Sequence, residues 1–236
     1  MTVETWAFPR ARLLVYAKAP RPGLVKTRLI PALGAVGAAT LQARLIRHTV
    51  AMATATRLCP VELWCAPGPE EPFFAACQRA RPLTLRCQPA GDLGARMLAG
   101  ANQALEAADY TLIIGTDCPA LTQDYLAAAL RALDEGAEAV VGPAEDGGYV
   151  LLGLRRTAPA LFADMPWGSD RVYAETYARL ERLGWRWRRL PVLWDVDRPE
   201  DLARLDEVGI SVACAVYAAH DPTPPRSARS WPPGPD

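Results

Sequence analysis

Tyr110-Thr-Leu-Ile-Ile-Gly-Thr-Asp-Cys-Pro119 is the stretch on which the fold turns. Tyr110 to Ile114 is a short apolar, β-branched run, the pattern of a fully buried strand. Gly115, Thr116 and Asp117 follow at once, and Pro119 forbids further pairing in a central strand. In an open α/β sheet, ligands bind outside the carboxyl ends of the strands. Asp117 could hold a divalent cation there through a hard oxygen, with substrate phosphates completing the shell. An Asx-turn ahead of a helix at Thr122 would use the same aspartate equally well.

Outward from this strand, the chain alternates between two periods. Apolar runs at 12–17, 61–66, 83–87, 139–142, 149–154 and 186–194 read as strands. The 3.6-residue patterns at 33–56, 70–80, 91–108, 122–135, 169–183 and 199–208 read as helices. Ser169 is a plausible N-cap, and Pro199 sits at a permitted first-turn position. Such alternation predicts a mostly parallel sheet covered on both faces. Asp146-Gly-Gly148 predicts one antiparallel return. Residues 1–210 are expected to form one domain. Residues 211–236 form a Pro-rich extension, expected to be disordered from about 221 because it has too few aliphatic residues to offset its ordering entropy.

Composition narrows the function. Twenty-six Lys and Arg balance twenty-six Asp and Glu, and the cations are scattered. That argues against a nucleic-acid surface or a polybasic membrane surface. No apolar run reaches the ~18–20 residues of a membrane span, and the N-terminus shows no secretory pattern. Six cysteines without a C-x-x-C pair read as reduced thiols, and the expected location is the cytoplasm. With only His48 and His220 present, His-based zinc sites and Ser-His-Asp triads are disfavoured. Chemistry is left to carboxylates, cations and backbone amides.

The unusual polar segments all follow strands. Pro22-Gly-Leu-Val-Lys-Thr-Arg28 places Lys26 and Arg28 on a glycine-containing loop where pyrophosphate could be neutralised; two solvated cations are the alternative. It lacks the first glycine of a Walker A motif, and no G-x-G-x-x-G follows a strand, which disfavours a dinucleotide dehydrogenase. In Gln88 to Arg96, Gly91 and Gly94 would let a ligand approach the backbone, and the Gln88 amide could read a base edge. Ordinary loop glycines with Asp92 as an N-cap would look the same. Glu145-Asp-Gly-Gly-Tyr149 combines two carboxylates with a hairpin turn. Asp195 and Asp197 alternate with Val196, so both could share a side and complete a metal site with Asp117; Asp197 could instead cap the following helix. Trp167 reads as packing. Two carboxylates on a divalent cation, with Lys26 and Arg28, would offset the charge of a nucleoside diphosphate and support leaving-group chemistry without histidine.

Taken in order, Lys18-x-Pro, Pro22-Gly-x-x-Lys26-Thr-Arg-Leu29, Gly91-Asp-Leu-Gly94-x-Arg96-Met97, Gly115-Thr-Asp-Cys-Pro119, Asp146-Gly-Gly-Tyr149, Trp167-Gly-Ser169 and Asp195-Val-Asp-x-Pro-Glu-Asp-Leu202 resemble one family over residues 11–208. It is the bacterial glycosyltransferase-like family described as radical-SAM/selenodomain-associated transferase. The resemblance implies a GT-A fold, that of nucleotide-diphospho-sugar transferases, shared with molybdenum-cofactor and phospholactate guanylyltransferases. It places Lys26 and Arg28 in the nucleotide-phosphate loop; Lys18, Gly23, Gln88, Gly91, Asp92, Gly94 and Arg96 are the further candidates for nucleotide and phosphate contacts. It puts Asp117 at the metal-binding aspartate, and Asp195 or Asp197 near a second ligand. Gly115-Thr-Asp-Cys118 carries one aspartate where many glycosyltransferases carry Asp-x-Asp.

The leading expectation is therefore a Mg²⁺- or Mn²⁺-dependent transferase that moves a sugar from a nucleoside-diphosphate sugar to a small acceptor. Asp117, Asp195 and Asp197 would hold the cation, Lys26 and Arg28 the departing diphosphate, and Asp146 the acceptor hydroxyl. The same residues would serve a nucleotidyltransferase that joins an NMP from an NTP to a phosphorylated small molecule with release of pyrophosphate. A non-catalytic nucleotide-binding module is the third reading.

Overall fold

The computed structural model describes residues 5–211. The 211–236 extension, and with it the expected disorder, lies outside the described residues apart from Ser211. Seven strands form one sheet: β1 (Ala11–Lys18), β2 (Val61–Ala66), β3 (Thr84–Cys87), β4 (Tyr110–Ile114), β5 (Ala139–Pro143), β6 (Tyr149–Leu154) and β7 (Trp187–Arg189). Their order is β3-β2-β1-β4-β6-β5-β7. All neighbours pair in parallel except β6, which runs antiparallel to both β4 and β5. This is the expected mixed α/β architecture with a single reversal.

Five α-helices cover the sheet: α1 (Ile30–Ala55), α2 (Pro72–Ala80), α3 (Leu93–Leu105), α4 (Gln123–Asp134) and α5 (Val172–Arg182). The period-two alternation of β1 divides the core between the two faces. Leu13 and Val15 pack with Ile46, Val50, Phe74 and Leu130 on the α1, α2 and α4 side. Leu14 and Tyr16 pack with Met97, Ala101 and Leu180 on the α3 and α5 side. A third cluster joins Leu29, Leu33, Leu41 and Leu45 of the α1 region to Trp194, Val196 and Leu205 near the end of the described chain. Each fully buried leucine contributes roughly 1.5–3 kcal/mol over an exposed one.

Several local expectations are corrected. Helix α1 is kinked at Gly34, whose φ of 69° leaves the helical region. With the turn before it, Thr27–Ala55 is long and apolar enough to cross a membrane by length and composition, contrary to the expectation from apolar runs; half of its most apolar stretch is buried inside the fold. Ser169 does not cap α5. Arg171 occupies the N-cap position; the Ser169 hydroxyl donates to the Pro166 carbonyl and accepts from the Arg171 N–H at 3.3 Å, one residue short of the helix. The last strand shrinks from 186–194 to three residues because Pro191 has no amide to donate. The chain beyond it still follows β5, through Leu193 N–H to the Pro143 carbonyl at 3.0 Å and Glu145 N–H to the Leu193 carbonyl at 2.9 Å. Residues Pro199–Val208 form a 3-10 helix.

Candidate functional site

The strand order reverses at β1. The chain leaves β1 toward β2 and β3 on one side, then returns to place β4 on the other. Crevices open at such switch points, outside the carboxyl ends of the strands. Here a cleft of about 580 Å³ lies over the ends of β1 and β4, and Lys18, Gln88, Asp117, Asp146, Asp195 and Asp197 are among its walls. Because β6 is antiparallel, its beginning rather than its end arrives at this edge, with Leu151 opposite Ile114. The single reversal in the sheet is thus what delivers Asp146, Gly148 and Tyr149 to the cleft that Asp117 faces.

Asp117 emerges at the lip of β4 about half exposed, and its Oδ1 is 2.8 Å from Lys26 Nζ. Its backbone carbonyl accepts from Val196 N–H at 2.8 Å. Val196 is fully buried, and Asp195 and Asp197 on either side of it both line the cleft. The alternation in the sequence therefore does put these two carboxylates on one side. Arg28 pairs with Asp197. Asp197 does not cap the following turn: Asp201 does so, accepting from the Asp197 and Arg198 amides at 2.9 and 2.7 Å.

Asp195 sits among its own kind. Burial, then the charges of Asp146 and Asp117, push its carboxyl up to about 7, against the opposing pull of Lys26. Asp146 Oδ1 accepts from Gly148 N–H at 2.8 Å, the expected turn contact. Gly147 closes the loop: its φ is +87°, and a Cβ would lie 2.1 Å from the Asp170 carbonyl oxygen. A second cavity of about 510 Å³ shares Arg28, Asp146, Asp195 and Asp197 with the first.

Several candidate residues take roles other than those expected. Lys26 is buried, with its side chain 4% exposed, and its ammonium also donates to the Val196 carbonyl. The Gln88 amide donates to the Ala17 and Trp64 carbonyls at 3.1 and 2.8 Å, so its nitrogen ties strand ends together and is not free to read a base. Asp92 is the N-cap of α3, accepting from Ala95 N–H at 2.8 Å. Arg96 Nε donates to the Gly91 carbonyl at 2.7 Å. Gly91 is required for its φ of +113°. Gly94 leaves room for protein, not ligand, since a Cβ there would meet the Phe162 carbonyl at 2.8 Å and the Trp167 indole at 3.0 Å. Gly23 has φ +78° and nothing within 4 Å of a Cβ, so its surroundings are open. Lys18 is exposed in the cleft and donates to the Leu24 carbonyl at 2.7 Å.

Sequence reasoning missed the apolar half of the cleft. Tyr16, Leu93, Met97, Tyr149 and Trp167 line it. Tyr16 stacks on Trp64 with the rings 5.7 Å apart and 4° from parallel, and its hydroxyl donates to the Arg96 carbonyl at 2.8 Å. Tyr149 meets Trp167 edge to face. Trp167 is indeed packed, as expected, and also forms a wall. Only the position of Tyr16 two residues before the end of β1 pointed to this.

For a divalent cation the donor chemistry fits. Four carboxylates face one cleft, and the cationic partners take up one oxygen each of Asp117 and Asp197, while Asp195 has no hydrogen-bonded side-chain partner among the described residues. Among the described residues no three His, Cys, Asp or Glu side chains already converge as a formed metal cage. Hard cations that keep several waters and substrate phosphates need only one or two protein carboxylates.

Known structures share this fold. A protein from Desulfovibrio desulfuricans G20, provisionally assigned as a nucleotide-diphospho-sugar transferase, is 26% identical, with a TM-score of 0.77 over 89% of this chain and 95% of that one. A cytidylyltransferase from Leptospira borgpetersenii is 13% identical, with a TM-score of 0.54 over 89% and 93%. The 4-diphosphocytidyl-2C-methyl-D-erythritol synthase of Anaerococcus prevotii is 8% identical, with a TM-score of 0.57 over 90% and 99%. The last two establish the fold alone. A search of the curated proteins finds no match. Residues 49–169, more than half of the chain and the part that carries the central strand with Asp117 and the Asp146 turn, match one family profile; the protein belongs to the family described as uncharacterized protein conserved in bacteria (DUF2064).

Proposed function

We propose that this protein is a metal-dependent transferase that takes a sugar from a nucleoside-diphosphate sugar and passes it to a small hydroxyl-bearing acceptor. The observation that carries the reading is the composition of the cleft at the sheet's switch point. Asp117, Asp146, Asp195 and Asp197 line it together with Lys18 and Arg28, beside an aromatic wall. The ordered resemblance to radical-SAM/selenodomain-associated transferases, and the 26%-identical neighbour, support the same class.

On this reading Asp117 holds a Mg²⁺ or Mn²⁺ ion together with Asp195 or Asp197. The bound ion would act as a Lewis acid on the diphosphate leaving group. Arg28 and Lys18 add charge-assisted hydrogen bonds to its oxygens. The free oxygen of Asp146, fixed by the Gly148 contact, takes the proton of the acceptor hydroxyl. Tyr16, Met97 and Trp167 exclude water from one flank. The domain boundary near 210 and a cytoplasmic location belong to the same proposal.

A nucleotidyltransferase is the second reading. The single aspartate of Gly115-Thr-Asp-Cys118 favours it, as do the cytidylyltransferase neighbours at the level of fold. Thermal unfolding with UDP-, GDP-, ADP- and CDP-sugars and the parent NTPs, with and without Mn²⁺, separates the two. Ligand at a hundredfold excess over Kd adds about 2.7 kcal/mol to the native state. Glycosyl transfer predicts a Mn²⁺-dependent shift with one diphosphate sugar. A shift with an NTP alone moves the assignment to nucleotidyl transfer, and no shift with any of them removes both.

A further inference from the structure

The chain has only two lysines, Lys18 at the end of β1 and Lys26 eight residues further on in the loop that follows. The structure treats them very differently. Lys18 is exposed in the cleft and spends one proton on the Leu24 carbonyl. Lys26 has a side chain only 4% exposed and an ammonium between Asp117 Oδ1 and the Val196 carbonyl. Its backbone is left-handed, at φ 47° and ψ 43°, a conformation that a residue with a Cβ adopts only under strain. Side-chain contacts in the interior must over-determine that conformation, and the two bonds of the ammonium do.

Those two bonds have a consequence for the carboxylates. Lys26 comes from the loop after β1, Asp117 from the end of β4, and Val196 from between Asp195 and Asp197. The Val196 N–H to Asp117 carbonyl bond closes the triangle at 2.8 Å. A buried ammonium here sets the separation between the two acidic segments. Removing it would leave a carbonyl unsatisfied and Asp117 beside three other carboxylates without its counter-charge.

We propose that the two lysines divide the work: Lys18, together with the exposed Arg28, is the cation met by a ligand's phosphates, whereas Lys26 is a positioning residue that clasps Asp117 to the Asp195–Asp197 segment. This rests on the reading of the cleft as a diphosphate site, but only in its first half. Lys26 reaches no ligand; it acts through the carboxylates it spaces.

Acylation of the wild-type protein by acetic anhydride, read by peptide mass spectrometry, tests both halves. In the free protein, Lys18 should be modified at least about tenfold faster than Lys26, as exposure dictates. Inorganic pyrophosphate, added with a chelator, should protect Lys18 and leave Lys26 unchanged. Comparable reactivity of the two lysines in the free protein, with pyrophosphate protecting Lys26, overturns the division. Thermal stabilisation by pyrophosphate without protection of Lys18 overturns its phosphate role. No stabilisation and no protection, with the chelator and again with Mn²⁺, overturns the phosphate role of Lys18, and faster acylation of Lys26 than of Lys18 in the free protein overturns the clasp. Two variants complete the test. Lys26→Met should accelerate amide exchange at Val196 about tenfold or more with pyrophosphate affinity changed less than about threefold. Lys18→Met should lose about tenfold in affinity, one charge-assisted bond, with Val196 exchange unchanged. The reverse pattern makes Lys26 the phosphate ligand.

Discussion

Asp195 is the carboxyl on which the electrostatics of the cleft converge. Its carboxyl stands near 7, pushed there by burial and by Asp146 and Asp117, against about 3.9 for an unfolded aspartate. Between those values the folded state keeps a proton that the unfolded chain releases. This group therefore favours folding fully below about pH 4, and the contribution is lost progressively as pH rises from about 4 to about 7. Asp195→Asn removes the titration, so the variant's gain in melting temperature over the wild type should be clearly larger at pH 8 than at pH 5, both with a chelator present. Equal differences at the two pH values would sink this account. The same residue shows what sequence can carry. Asp195, Asp197 and Asp117 were legible as a group because strand-end position and period-two spacing are local properties. The duties of Lys26, Gln88 and Gly94 were not, because each depends on a partner far along the chain: Val196, Trp64 and Trp167. A glutamine after a strand looks the same whether its amide faces a base or two carbonyls.

At the scale of elements, α3 shows how closely the aromatic wall is set. Gly100 lies inside this helix, and a Cβ there would stand 2.1 Å from the Tyr16 hydroxyl. Gly to Ala in an exposed helix interior stabilises by about 0.8–1 kcal/mol. Here Tyr16 cannot yield easily, being stacked on Trp64 and bonded to the Arg96 carbonyl. Gly100→Ala should therefore destabilise by about 1–3 kcal/mol, the cost of overpacking, and should perturb the near-ultraviolet circular dichroism of the Tyr16–Trp64 pair. A variant more stable than wild type would show that the ring moves freely. Strands and helices themselves were largely readable, since β1, β2, β4, β5 and β6 are apolar runs bounded by turns. Ends were less so. The Ser169 cap failed because the helix begins three residues later, at Val172, so the hydroxyl oxygen accepts only from the Arg171 amide ahead of the first turn, and the last strand failed because the apolar run 190–194 contains Pro191. That run still follows β5 as bonded but irregular chain, which no periodicity distinguishes from a strand.

Over the whole molecule, the cleft depends on the smallest of the three cores. Leu29 directly follows Arg28, and Val196 lies between the two late aspartates; both are buried in the cluster that contains Leu205. The signature loop and the acidic segment thus share one apolar anchor, separate from the two sheet faces. Leu205 and Leu130 are each fully buried, the second in the α4 face of the main core. Truncation of either to alanine should cost about 2–5 kcal/mol. The consequences for the site should differ. Leu205→Ala relaxes the packing under Val196, so Asp195 and Asp197 lose their fixed spacing from Asp117, and the Mn²⁺-dependent stabilisation by the ligand found for the wild type should shrink. Leu130→Ala should lower the melting temperature by a similar amount and retain that stabilisation in full, because its cavity opens under α4, away from both loops. Measuring ligand-induced shifts for the two variants at matched stability separates loss of anchoring from loss of stability as such. Equal retention in both would mean that the hydrogen bonds among Lys26, Asp117 and Val196 hold the acidic segment without help from the core beneath it.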